Sequence, residues 1–215
     1  GLAFIFVDEK GENRLLVAPG ANMKLSLTDL DNALELFKSN EFLVLQLEIP
    51  QEVVKKCIEY AHRSGMKVVL NPAPAQPFPI EILTANDIIT PNKYEAEVLS
   101  GVKIRSISDA IKAIQVLDER CPARKVITLG GEGALASYEN NQFVYLPARE
   151  VKVEDTTAAG DAFNGGLVVG IGMGKDWIGA LKLANNAGAI ACAKVGAQSA
   201  LPHFRDVERL VERIG

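Results

Sequence analysis

The sequence predicts an α/β protein, with a mostly parallel sheet carrying helices on both faces and a β-hairpin ahead of it. Three observations lead to this. Short apolar runs alternate with segments whose apolar residues recur at helical spacing, the order that builds a parallel sheet through right-handed helical crossovers. Glycine, proline and asparagine gather between these segments and punctuate them. Near the start, strong antiparallel character is confined to residues 2–18, where two strand-like runs flank a polar turn.

The elements follow in order. Leu2 to Val7 reads as a strand, residues 8–13 as a turn and Arg14 to Ala18 as the returning strand. Thr28 is expected to cap a helix whose stripe is Leu30, Ala33, Leu34 and Phe37. Phe42 to Leu47 is a short apolar strand, and Pro50 suits the first turn of the helix that follows. That helix buries Val53, Val54, Cys57, Ile58 and Ala61 and stops at Gly65. Met66 to Leu70 is the next strand. Residues 71–79, broken by Pro72, Pro74, Pro77 and Pro79, can be only an ordered connection at its end. A strand at Asp87 to Thr90 leads through Pro91 into a helix ending near Gly101, and a second helix spans Ser108 to Glu119. Val126 to Leu129 is a strand, a hairpin turns around Asn140 and Asn141, and three helices close the chain at Gly160 to Val169, Trp177 to Ala193 and Val207 to Ile214. In such sheets ligands gather beyond the carboxyl ends of the strands, which here are the loops after Leu47, Leu70, Thr90 and Leu129.

Composition narrows the function. Of 215 residues, 48% are hydrophobic, enough for a real core, and 23 basic against 27 acidic side chains leave a net charge of −4. A broadly basic nucleic-acid binder is excluded, as is a disordered or collagen-like chain. The apolar runs are too short or too glycine-rich to span a bilayer. Cys57, Cys121 and Cys192 form no C-x-x-C pair and read as reduced core or helix residues of a cytoplasmic protein. The first residues, Gly1-Leu2-Ala3-Phe4, read as starting inside a strand rather than at a signal peptide.

The most informative segment runs from Asp155 to Gly166: Asp-Thr-Thr-Ala-Ala-Gly-Asp-Ala-Phe-Asn-Gly-Gly. Its small residues let the chain turn tightly into a helix, so the free amides of Ala158, Ala159, Gly160 and Asp161 can converge on an anion at the positive end of the dipole. Asp161 then lies where a carboxylate can take the proton of a hydroxyl attacking a phosphoryl group. In isolation a Gly-Asp pair would more simply cap the helix; the surrounding segment favours the catalytic reading. Gly170 to Lys175 mimics a phosphate-binding loop but lacks its first glycine, and Asp176 stands where Ser or Thr is needed, so a helix end and turn is expected. His62 and His203 have no ligand spacing, which leaves neither a zinc site nor a Ser-His-Asp triad.

The Asp155 to Gly166 segment resembles the D-T-x-x-A-G-D-x-F signature of the ribokinase family of sugar kinases. Gln46 to Pro50, Leu70 to Ala75, Ile89 to Glu97, Thr128 to Gly133 and Gly196 to Gln198 resemble further segments of that family in the same order. Together they resemble its ribose-phosphorylating branch more than its fructose, ketodeoxygluconate or adenosine branches. The resemblance implies a ribokinase-like fold in which residues 1–20 form a lid-type hairpin and residues 21–215 the α/β catalytic domain. It implies ATP-dependent phosphorylation of the 5-hydroxyl of ribose, with Asp161 as base and Ala158, Ala159 and Gly160 as the anion hole.

Asn92 and Glu95 match the family's N-x-x-E motif and would hold Mg²⁺, partly through water, while also capping a helix. Asn92, Thr128, Leu129, Gly130, Gly131, Glu132, Gly133, Gly160, Asp161 and Asn185 match the ATP-binding positions, with Asn185 at the adenine end. Glu48 matches an acidic residue near the sugar, although alone it would read as a solvated loop residue. Asp155, Thr157, Ala191, Lys194, Gly196 and Ala200 match positions that surround a potassium ion, mainly through carbonyl oxygens; the family's usual serine is replaced at Ala200. The intact form is expected to be a cytoplasmic homodimer. The family's N-terminal strand bearing an Asp for the sugar and its Gly-Gly-Lys-Gly-Ala-Asn-Gln-Ala segment do not occur in these residues. The chain is therefore expected to be a fragment, or to receive that part from elsewhere. The alternatives are a sibling kinase for deoxyribose, fructose, ketodeoxygluconate or a nucleoside, and a non-catalytic nucleotide-binding module.

Overall fold

Period-two alternation, read along the strands, decides how this chain is layered. The structure, a computed structural model, describes residues 1–7 and 13–212. Strands β1 (Leu2–Val7) and β2 (Asn13–Ala18) pair antiparallel with Leu2 opposite Ala18 and Val7 opposite Asn13. Most of the turn expected between them, residues 8–12, lies outside the described residues, as does the chain beyond Glu212. The main sheet runs β3 (Phe42–Leu45), β4 (Lys67–Leu70), β5 (Ile88–Ile89), β6 (Arg124–Thr128), β7 (Ala134–Ser137) and β8 (Phe143–Leu146) in spatial order. β3 to β6 are parallel, and β7 and β8 add as an antiparallel extension. The ribokinase-like fold class read from the sequence is the one observed.

Helices α2 (Gln51–Arg63), α3 (Lys93–Ser100) and α4 (Ile107–Arg120) cover one face; α5 (Ala159–Gly172) and α6 (Trp177–Cys192) cover the other, and α7 (Phe204–Glu212) packs on α6. Alternate residues of single strands divide between the layers. Val68 and Leu70 pack with α2, whereas Val69 between them packs with α5 and α6. Ile127 joins the α4 side and Val126 the α5 side in the same way. Each such fully buried aliphatic side chain contributes about 1.5–3 kcal/mol, and their two-sided burial explains why the strands read as continuous apolar runs.

The α5–α6 contact is made by small residues. A Cβ on Gly166 would meet the Cα of Ala184 at 2.9 Å, and one on Gly170 the Cα of Ala180 at 2.8 Å. The two backbones therefore touch along this seam with almost no side chain between them.

Several boundaries differ from expectation. Ser26, not Thr28, caps α1 (Leu27–Asn32), because its hydroxyl and Asp29 form a reciprocal capping box; the helix then tightens into a 3-10 turn at Leu34–Phe37. Pro50 sits at the N-cap of α2 rather than inside its first turn. β3 ends at Leu45 because the chain bends there and the Leu47 amide donates to the carbonyl of Ala73 at 2.7 Å. β5 contains only Ile88 and Ile89. The carboxylate of Asp87 before it is fully buried and accepts from the Val68 amide, the Thr84 amide and hydroxyl, and His62 at 2.7 Å. α5 ends as expected in a turn at Gly174, whose φ of +76° favours glycine.

Candidate active site

The loops beyond the carboxyl ends of β3 to β6 are laced to one another. Gln76 donates to the carbonyl of Leu47, Asn71 to the carbonyl of Thr90, and the Thr128 amide to the carbonyl of Pro91, each within 3.0 Å. Asn92 and Thr128 form an isolated parallel bridge, which brings the start of α3 beside the end of β6. Here the sequence motifs converge.

At the start of α5 the chain turns through Ala158, which is held in the left-handed region at φ +59° and ψ +11°. Such a conformation costs a non-glycine residue about 1–2 kcal/mol, and it aims the following amides out of the helix end. The Ala159 amide donates to the carbonyl of Thr156 at 3.3 Å, so it is turned partly into its own loop. Among the described residues, no backbone carbonyl accepts from the amides of Gly160 and Asp161. Asp161 is exposed in this first turn.

Asp155 organises the loop ahead of that turn. One of its oxygens accepts from the Thr157 amide at 2.9 Å and the other from the Gly196 amide at 3.1 Å. The Thr157 side chain, followed by these two amides, holds its carboxyl below the usual range. The amides of Glu154 and Asp155 both donate to the carbonyl of Cys192. The structure thereby brings Asp155, Thr157 and Gly196 together beside the end of α6. Ala191 and Lys194 join them there, since the Lys194 amide donates to the Ala191 carbonyl at 3.2 Å. Ala200 is fully buried in the 3-10 turn Gln198–Ala200 that packs on α6.

Asn92 and Glu95 form a reciprocal capping box for α3. The Glu95 amide donates to Asn92 Oδ1 at 2.9 Å and the Asn92 amide to Glu95 Oε2 at 2.8 Å. Asn92 Nδ2 binds the other carboxylate oxygen at 2.8 Å, and Asn71 Nδ2 approaches Oε2 at 3.4 Å. Capping is thus the role the geometry displays. Only 4% of Glu95 is exposed, and burial pushes its carboxyl above the usual range despite these bonds. A raised folded-state pKa means that folding favours the protonated form. Its contribution is complete below the unfolded value and lost as pH rises through the folded one. Denaturation midpoints are therefore expected to fall less steeply with rising pH across this window in Glu95→Gln than in the parent. Identical slopes would refute it.

A cavity of about 210 Å³ lies between the turn after β6 and the start of α5. Thr128, Gly130, Gly131 and Gly133 form one wall, Ala159 and Gly160 another, and Asn185 lies on a third, anchored by donation to the Pro147 carbonyl at 2.7 Å. Gly133, with φ +103°, closes this turn, its carbonyl accepting from the Leu129 amide at 2.8 Å. Leu129 itself is buried, and Glu132 points its carbonyl at Tyr145. Glu48 is exposed on the bend after β3 and does not line this cavity.

Sequence reasoning missed several lining residues, among them Arg149, Val151, Val153 and Phe163. Arg149 follows the β7–β8 hairpin, and no spacing rule links it to the glycine turn. Asn71 was legible as the residue at the end of an apolar strand, but its bond to Glu95 depends on the pairing of β4 with β5. Asn164 is 3% exposed on α5, and its Oδ1 is a buried acceptor with no partner among the described residues.

Comparisons extend this picture. The family model of the pfkB family carbohydrate kinases matches residues 1–203. The chain is 38% identical over 212 residues to a ribokinase of Haemophilus influenzae, covering 99% of this chain and 69% of that one. It is 34% identical over 203 residues to a deoxyribokinase of Salmonella typhi, covering 94% of this chain and 66% of the other. Among solved structures, a ribokinase of Thermotoga maritima superposes with a TM-score of 0.81 at 33% identity, across 98% of this chain and 69% of that one.

Proposed function

Because the chain belongs to the pfkB family of carbohydrate kinases, ATP-dependent enzymes that phosphorylate sugars, we propose that it transfers the γ-phosphoryl group of ATP to the 5-hydroxyl of D-ribose. One observation carries the proposal: the cavity between the glycine turn and α5 ends on the first turn of that helix, where the Gly160 and Asp161 amides have no backbone carbonyl partner among the described residues and Asp161 stands in the same turn. Adenosine occupies the wall formed by the 130–133 turn and Asn185, and the triphosphate runs to the start of α5. Asp161 accepts the proton of the attacking hydroxyl. The amides of Gly160 and Asp161, set by the Ala158 turn, stabilise charge on the phosphoryl oxygens. Glu48 approaches the sugar.

Mg²⁺ bound with ATP would supply positive charge against the phosphates. Among the described residues no cluster of three or more acidic, histidine or cysteine side chains could cage it, which suits an ion that keeps much of its water. Asn92 and Glu95 would hold that water, since the Glu95 oxygens already accept protein hydrogen bonds. Potassium fits the oxygen-rich fold of chain that Asp155 draws together, with Thr157, Ala191, Lys194, Gly196 and Ala200 around it. There it would supply fixed positive charge near the anion-binding turn. Asp155→Ala is expected to release the 193–197 loop and remove the stimulation of turnover by K⁺; unchanged stimulation would take Asp155 away from the ion. Residues 1–20 act as a lid over the sugar, residues 21–215 as the catalytic domain. The exposed Leu2, Phe4, Leu16 and Val17 of the hairpin support its use as a dimer contact. Three free thiols suit a cytoplasmic setting, and among the described residues no helix is long and apolar enough to cross a membrane.

ADP release measured over ribose, deoxyribose, fructose and adenosine tests the reading. Ribose is expected to give the highest kcat/KM. A preference for deoxyribose would move the chain to that sibling activity, and nucleotide binding without sugar-dependent ADP release would make it a binding module.

A further inference from the structure

A second cavity, of about 200 Å³, opens at the opposite rim of the sheet, at the amino ends of β4, β5 and β6. Lys67 begins β4, Arg124 begins β6, and Lys175 enters from the turn between α5 and α6. Asn86 adds an amide. In an acidic chain these three cations share one small cavity, and among the described residues none pairs with a carboxylate. The two carboxylates nearest in sequence are engaged elsewhere. Asp87 is turned inward onto His62, Thr84 and the Val68 amide, and Asp176 caps α6 through the Gly179 amide at 2.7 Å.

The cations are also positioned. The Arg124 guanidinium lies 4.9 Å from the centre of the buried Trp177 ring, and the indole donates to the Ser137 carbonyl at 3.0 Å. Lys67 Nζ lies 5.5 Å from the Phe42 ring. Cation–π attraction uses none of the guanidinium N–H donors, and among the described residues none of them is bonded, so they remain for a bidentate partner. The positive end of α6 meets the negative end of α5 here, so the helix dipoles largely cancel and the side chains set the local charge.

We propose that this cavity is a second binding site, for a phosphate dianion, free or as the head of a small phosphomonoester. Arg124 takes two phosphate oxygens through its fork, Lys67 and Lys175 supply the remaining charge, and Asn86 binds an oxygen or ester group. α5 begins at the candidate active site and ends beside this cavity, roughly 20 Å away at 1.5 Å per residue.

Trp177 is the single tryptophan of the chain, so its fluorescence reports on this cavity directly. Titration with inorganic phosphate and, separately, glycerol 3-phosphate at constant ionic strength is expected to give a saturable change with at least one of them, which names the source. In Lys67→Gln/Lys175→Gln, which keeps the Arg124 stack, the affinity is expected to fall at least tenfold. Arg124→Lys, which keeps the charge but loses the fork, is expected to weaken it by a smaller factor. A linear response to both probes, or equal affinity in the parent and the double variant, overturns the proposal. Thermal melting verifies that the variants are folded; should the double variant unfold, the exposed Lys175→Gln alone decides, with unchanged affinity counting against the site. This readout does not depend on kinase turnover.

Discussion

Asp161→Asn is expected to lower kcat by at least about 10²–10⁴-fold while ATP still binds. The substitution preserves size and leaves the backbone amides at the start of α5 in place, so the anion-binding turn survives. What disappears is the acceptor for the hydroxyl proton. Asp161 is exposed, and removing one negative charge from a helix start costs only about 0.3–1 kcal/mol, so the variant stays folded. Affinity for ATP should be unchanged or slightly higher, because a carboxylate close to the phosphates is gone. Calorimetry with ATP and a coupled ADP-release assay with ribose separate the two effects. Turnover near that of the parent would remove Asp161 from the reaction.

Gly133→Ala is expected to be the most damaging single methyl addition among the glycines of the described chain. Its φ of +103° and ψ of −133° lie where only glycine is comfortable. A Cβ there would sit 2.0 Å from the carbonyl oxygen of Leu146 and 2.5 Å from the Ala148 amide nitrogen. Both neighbours are backbone, and neither can turn aside as a flexible side chain would. The cost is about 3 kcal/mol or more, which for a chain of this size lowers Tm by roughly 6–12 °C. Nucleotide affinity should fall as well, since the β6–β7 turn must move to make room. Thermal melting in parallel with Gly131→Ala checks it, because a Cβ on Gly131 meets nothing within 4 Å. Equal melting temperatures for the two variants would refute the steric argument.

Much of this was legible in the residues. The layered sheet follows from alternation of helical and strand periods, and α3, α4 and α6 fall within about two residues of where spacing puts them. The start of α5 was legible because few segments combine small residues and an acidic residue at a turn into an apolar helix. What escaped depends on contacts distant in sequence. Ser26 rather than Thr28 caps α1 because Asp29 answers it, and the helix stops short because Ala33 leaves helical geometry. The partial capture of the Ala159 amide by Thr156 could not be read from a list of small residues. Neither could the lysine and arginine cluster, whose members lie far apart in the chain and meet because parallel strands align the first residues Lys67 and Arg124 while the α5–α6 turn brings Lys175 beside them.

The glycine seam between α5 and α6 has a mechanical consequence. Where two main chains touch directly, no rotamer can absorb a displacement, so the helices travel as one body. Gly160 on α5 and Asn185 on α6 both face the cavity proposed for the nucleotide, and that side of it has a fixed width. The opposite side is built from the 130–133 turn and the 148–153 strap, which stand on the antiparallel end of the sheet. Any change in the width of the cavity therefore falls to the 148–153 segment and the turn rather than to the paired helices.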